Sequence, residues 1–235
     1  MKHGLSALIL LLSGAVQATT PGPVDLIRCP DSSELRLRRS LHSDHMFDAR
    51  VWSDGYVSAP MKFEYPRLSR CGHGQPLYWV DAAEVLQSWR PGHERPSNWP
   101  VIDVRSVEAP TNADFEDALD QGMARSRKEE LYLRLLLWHA ANHGYRDMAQ
   151  VAKGFNPFAQ PGRARDNLEQ LVLLLSSEVE DERLLRIEVL RELGEFRRAL
   201  GLLQRPVQPY NQARANWLRQ LAKRGDHWVQ PSTHP

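Results

Sequence analysis

Residues 185–206 read "LRIEVLRELGEFRRALGLLQRP", two apolar-striped stretches separated by a glycine. In "DERLLRIEVLRELG" the large apolar residues recur at three- and four-residue spacing, the period of one helix face. Gly194 follows it, "EFRRALGLLQ" opens a second and shorter helix, and Pro206 ends that one because it lacks an amide donor and clashes with the preceding turn. The pattern continues on both sides. Phe115, Leu119 and Met123 recur in "ADFEDALDQGMA", with Asn112 as the expected N-cap. "RKEELYLRLLLWHAANHG" places Leu131, Leu135, Trp138 and Ala141 or Asn142 on one stripe, with its end expected at Gly144. "RDNLEQLVLLLSSEVE" and "NQARANWLRQLAKRG" add further amphipathic helices, the last with Ala213, Trp217 and Leu221 on one face. Stripes of this kind are buried only against one another. Residues 112–225 therefore read as a helical domain, and 226–235 as a flexible tail.

The N-terminal part has a different composition. Residues 24–89 hold both cysteines and short runs with β-type alternation, "ELRLRRSL" and "DARVWSDGYVSAP". Ser53-Asp54-Gly55 reads as a tight turn with Gly55 at positive φ, flanked by strands through Val51–Trp52 and Tyr56–Val57. "PLYWVDAAEVLQSW" is expected to leave the strand pattern and open a short helix after Asp81. Residues 90–111 carry prolines at positions 91, 96, 100 and 110 and read as a connector, with an edge strand expected over 101–107 and Trp99 packing it down. The predicted fold class is α+β, mostly α: a small strand-rich, ribbon-like N-terminal lobe followed by a helical array or bundle.

The chain begins "MKHGLSALILLLSGAVQATTPGP". A short basic start, an apolar run from Leu5 to Leu12 and small residues Val16 and Ala18 form a signal peptide over residues 1–18, cut before Thr19. The run is shorter than the roughly 20 apolar residues a membrane span needs, and no later segment is apolar enough to span. The expected product is exported to the periplasm of a Gram-negative bacterium, without stable membrane insertion after signal removal. Thirty Lys and Arg face 29 Asp and Glu, a net charge of +1. That balance creates no long-range field for nucleic acid or anionic lipid.

In an oxidising compartment two cysteines of one domain are expected to pair, so Cys29 and Cys71 read as a disulfide. Zinc is the alternative: Cys29, Cys71 and His73 with His42 or His45 offer soft ligands, but Cys71 and His73 are tightly spaced and the other histidines lie in a polar turn. A catalytic thiol is the third reading, and it needs a partner base that sequence does not place.

The order "CP" at 29–30, "RSLHSD" at 39–44, "WSDG" at 52–55, "LSRCGHG" and "LYWVDA" resembles an uncharacterised bacterial family. Its members look like a Cys-Pro-x-Cys corner, a Trp-Ser-Asp-Gly turn and a second Cys-x-x-Cys. The resemblance covers residues 27–82 and implies a zinc-ribbon-like module with helices after it. Here Ser32 and Gly74 replace the second cysteine of each corner, so a four-thiolate site cannot form. The two remaining cysteines come from opposite corners, which implies a disulfide clip in place of a metal. Residues 185–206 also resemble one tetratricopeptide-like helical hairpin, in which Gly194 sits at the turn, Phe196 is the large aromatic and Ala199 is the small residue that admits the neighbouring helix.

No phosphate-binding glycine loop, nucleophile elbow or His-Glu-x-x-His motif occurs. His139 and His143 share a helix face at four-residue spacing, where terminal carbonyls are the simpler partners. The expected function is a non-catalytic interaction or scaffold module that binds a protein or peptide partner, with no cofactor. The alternative is a cell-envelope enzyme or enzyme subunit with its site between the lobes, near Asp54 and His73.

Overall fold

The computed structural model describes residues 21–30, 33–41, 48–59, 66–72, 74–99, 105–146 and 155–232. Seven strands come first: β1 (Pro21–Arg28), β2 (Leu35–Leu41), β3 (Arg50–Val51), β4 (Val57–Ser58), β5 (Leu68–Arg70), β6 (Leu77–Trp79) and β7 (Glu84–Trp89). Among the described residues six α-helices follow: α1 (Asn112–Asp120), α2 (Arg127–Arg146), α3 (Arg163–Leu174), α4 (Glu180–Glu192), α5 (Phe196–Leu202) and α6 (Gln212–Arg224). The fold is α+β and mostly α, as its sequence predicts.

Three small antiparallel sheets build the N-terminal part. β1 is the centre of a three-stranded sheet in the order β2-β1-β7, while β3 pairs with β4 and β5 with β6. The segment after Asp81 departs from expectation. A single 3-10 turn at Val80–Ala82 is followed by β7, not by a helix. β1 offers an open edge there, and pairing with it satisfies more backbone groups than a short isolated helix would. In the connector, residues 105–109 tie two sheets together: Ser106 bridges to Leu37 of β2 and Glu108 to Arg70 of β5. Trp99 is buried and packs on Trp89, with ring centroids 6.1 Å apart.

Two helix ends also differ. Thr111, not Asn112, caps α1: its hydroxyl accepts from the Asp114 amide, and Asp114 accepts from the Thr111 amide at 2.7 Å. Gly144 does not end α2, which continues through it to Arg146. Arg146 is drawn onward by a buried carboxylate partner described below. Gly194 does separate α4 from α5, at φ +83°.

Each helix from α1 to α5 packs on its successor, and α6 also returns to α4. The main core gathers Trp138, Leu168, Leu171, Leu184, Leu190 and Leu218, all fully buried. Ala199 is fully buried within it, which lets α5 lie close to its neighbours. A second core joins Leu68 and Trp79 of the strands to Phe115, Ala118 and Leu133 of α1 and α2. The two composition regimes therefore share packed apolar surface. Residues 226–232 are packed as well, contrary to a flexible tail: Val229 is buried, and Pro231 forms an antiparallel bridge with Trp52. Residues 233–235, the expected signal peptide at 1–18, and Ser32, His42, His45 and His73 lie outside the described residues.

Candidate functional site

The "WSDG" stretch forms the tight turn its composition demands. The Gly55 amide donates to the Trp52 carbonyl at 2.9 Å, and the Tyr56 amide donates to Asp54 Oδ1 at 3.1 Å. Gly55 has φ +79°, and a Cβ there would sit 3.0 Å from Leu185 Cδ2 on α4. Position 55 thus needs glycine both for its backbone and for the close approach of α4. Trp52, Ser53 and Asp54 are all buried.

Asp54 is the point on which the helices converge. Its Oδ2 accepts from Asn142 Nδ2 at 3.1 Å and from the Arg146 guanidinium, both on α2. Its backbone carbonyl receives His139 Nε2 at 3.2 Å, a contact that requires the proton on Nε2. The Arg146 guanidinium lies 4.2 Å from the Tyr56 ring centroid and donates to the His139 carbonyl at 2.7 Å. Asn142 also donates to Glu192 of α4 at 3.1 Å, and Trp138 Nε1 donates to the same carboxyl at 2.7 Å. Beside it, Arg191 is held by Glu188 and donates to the backbone carbonyls of Asp226 and Trp228.

Glu188, Arg191 and Glu192 are 0% exposed, and Asp54 and Asn142 equally so. Burial, followed by the negative charges of Glu188 and Asp54, pushes the Glu192 carboxyl well above the usual carboxylate range. Burial lowers Arg214 of α6, whose guanidinium approaches the same cluster from the far side. Its neighbours Asp54 and Glu188 each have an arginine partner, Arg146 and Arg191. The cluster is a largely buried junction between turn, helices and C-terminal segment.

The disulfide joins Cys29, just after β1, to Cys71, just after β5, with Cα atoms 6.1 Å apart. Both residues are buried, packed with Ile27, Tyr78 and Ala83. Sulfurs engaged in this bond are not thiolates, so Cys29 and Cys71 are not offered to zinc. Among the described residues no group of three or more His, Cys, Asp or Glu has the arrangement of a metal site. Gly74 is exposed at φ +75° in the turn that follows Cys71. His143, the second histidine of the α2 pair, is exposed.

Two concave features lie elsewhere. One, of about 530 Å³, sits between α1, α2 and α3 and is lined by mixed charge, with Arg163 bonded to Glu116 and Asp120. The other, of about 620 Å³, lies in the strand part and is mainly apolar, with Leu37, Trp79, Val80 and Val107 in its walls.

Of the residues singled out from sequence, Trp52, Ser53, Asp54 and Gly55 meet the helices at the junction, whereas Cys29 and Cys71 belong to a separate core. Gly194 and Phe196 meet His227, whose ring is 4.7 Å from that of Phe196. The partners missed are Asn142, Arg146, Glu188, Arg191 and Glu192. Their one trace in the sequence is helical spacing, 138-142-146 on α2 and 188-191-192 on α4. Comparison with protein-family models, with curated proteins and with solved structures returned no match.

Proposed function

We propose that this protein is an exported, non-catalytic interaction module that binds a protein or peptide partner in the cell envelope. Its strand lobe is read as zinc-ribbon-like, with a disulfide in place of the metal clip, and its helices as a tetratricopeptide-like array. The observation that carries the proposal is the state of Asp54. Polar side chains converge on it as they do in a catalytic site, but Asp54, Asn142 and Arg146 are buried and engage one another. The larger of the two concave features described above has mainly apolar walls, which favours binding over chemistry.

Export is supported by the disulfide, which persists in oxidising compartments. Among the described residues no helix is long and apolar enough to cross a membrane. The ribbon reading is supported by the placement of Cys29 and Cys71 at the ends of strands in two different sheets. The array reading is supported by the α4–α5 hairpin, with Gly194 at its turn and Ala199 buried at the contact.

The test has two arms in a Gram-negative host expressing the full chain. Mass spectrometry of the periplasmic fraction is expected to find a mature chain starting at Thr19; an unprocessed cytoplasmic product overturns the export half. A photo-cross-linking residue placed in turn along the surface is expected to give one reproducible partner adduct from contiguous positions. No adduct at any position overturns the interaction half.

A further inference from the structure

The connector changes partners within a few residues, and that switch creates a wedge. The Leu37 amide donates to the Arg105 carbonyl and the Val107 amide to the Leu37 carbonyl, each at 3.0 Å, so the chain first runs along the outer edge of β2. Glu108 then exchanges backbone hydrogen bonds with Arg70 of β5, at 2.9 and 3.2 Å. The apolar cavity of about 620 Å³ lies beside these attachments, lined by Leu37 of β2, Ser69 of β5 and Ser106 and Val107 of the connector. Leu37 points its backbone groups away from β1, and strand alternation points those of Arg39 the same way. The connector has left the edge at that level, so Arg39 offers its amide and carbonyl toward the wedge.

The charges around the cavity do not cancel. Arg38 is neutralised by Asp25 at 2.8 Å, and Asp81 is held by Arg125 at 2.9 Å. Arg39 and Arg67 remain, both exposed and lining the cavity, and among the described residues neither forms an ion pair. Arg67 is nevertheless positioned, with its guanidinium 5.3 Å from the Tyr132 ring centroid and 5.8 Å from that of Trp79. Cation–π contacts of this kind hold the cation beside the cavity.

We propose that this wedge is the binding site for an extended acidic-apolar segment of a partner polypeptide. The segment adds to the β2 edge at Arg39, places an apolar side chain against Leu37, Trp79 and Val107, and sets a carboxylate on Arg67 and Arg39. Strand addition supplies affinity through backbone bonds, and the pocket and the cations supply selection. The inference rests on the interaction-module reading and names the chemistry of its partner.

A phage-displayed library of short random linear peptides, selected on the full mature chain, is the probe. Enriched peptides are expected to combine Asp or Glu with a neighbouring large apolar residue. Synthetic copies should lose about tenfold or more in affinity to Arg67→Ala and to Arg39→Ala, and all measurable affinity to Val107→Trp, which fills the cavity. Arg67→Lys should recover part of the loss, and circular dichroism should confirm that each variant is folded. Enrichment without acidic residues, or binding indifferent to all these changes, overturns this site while leaving the interaction-module reading standing. Failure to enrich any peptide overturns it also, including the case in which a segment of this same chain fills the wedge. The cross-linking experiment above decides the broader reading independently.

Discussion

Ser53 and Gln230, 177 residues apart, exchange two hydrogen bonds of 2.9 Å: the Ser53 amide donates to the Gln230 carbonyl, and the Gln230 amide to Ser53 Oγ. The C-terminal segment is thereby tied to the "WSDG" turn in antiparallel fashion, extended by a 2.7 Å bond from the Ser232 amide to the Val51 carbonyl. It also supplies the Asp226 and Trp228 carbonyls that accept from buried Arg191. Removing residues 226–235 leaves that guanidinium short of acceptors and exposes Trp52. The expected cost is about 3 kcal/mol or more, read as a lower urea midpoint of the mature protein. An unchanged midpoint would restore the flexible-tail reading.

Glycines separate two kinds of position. Gly194→Ala forces a side chain into φ +83° and puts its Cβ 2.9 Å from the His227 ring, for a loss of about 1–2 kcal/mol from the left-handed backbone alone. Gly144→Ala should do the opposite. Gly144 lies inside α2, and the space its Cβ would enter is open, so alanine gains about 0.5–1 kcal/mol of helix propensity. Were Gly144 a helix terminus, the same change would destabilise, so thermal melts of the two variants discriminate between the assignments.

Much of this architecture is legible in the sequence because it rests on local physics. The 3.6-residue stripes mark α1 to α6, the two-residue alternation marks β2, and Gly55 marks its turn. The misses arise where a distant partner overrides a local rule. β7 pairs with β1 although its residues also suit a helix, and α2 runs through Gly144 toward Arg146, which Asp54 holds. The tail is polar, yet its backbone carbonyls satisfy Arg191. The junction is the least legible element, since a charged residue facing a buried carboxylate and one facing water look alike in a helical stripe.

The Asp54–Arg146 pair tests how the strand part is fastened to the helices. The two side chains are 0% and 4% exposed, so losing one partner leaves an uncompensated buried charge. Asp54→Asn is expected to cost about 3 kcal/mol. Pairing it with Arg146→Met should recover most of that loss, because an apolar replacement removes the orphan cation. Equal and additive losses in equilibrium denaturation would mean that the two residues do not act as a pair.

The disulfide carries a separate prediction. Its partners are 42 residues apart in sequence, and a loop of that length restricts the unfolded chain by about 4 kcal/mol in the chain-entropy model. The Cys29→Ala/Cys71→Ala protein should lose about that much. Hydrogen exchange should quicken first in β1 and β5, next to the bond. Zinc should not restore the loss in the reduced wild-type protein if the bond, not a metal, is the clip. Recovery on adding zinc would reinstate the metal reading.

The last prediction concerns Glu192. Burial and the neighbouring acids hold its carboxyl above the usual range, so the folded protein retains a proton there that the unfolded chain has released. Below the unfolded value, about 4.3 for glutamate, both states are protonated and the group costs nothing. As pH rises above it, the unfolded state loses its proton first, and the contribution of this site falls until the folded carboxyl also ionises. Glu192→Gln keeps an acceptor for Trp138 Nε1, found at 2.7 Å in the native protein, and removes the titration. The variant should therefore melt near wild type at pH 4 and above it at pH 8, with the gap widening between. A gap that narrows with rising pH would mean that Glu192 is ionised in the fold and that Arg191, at 3.9 Å, is its true partner.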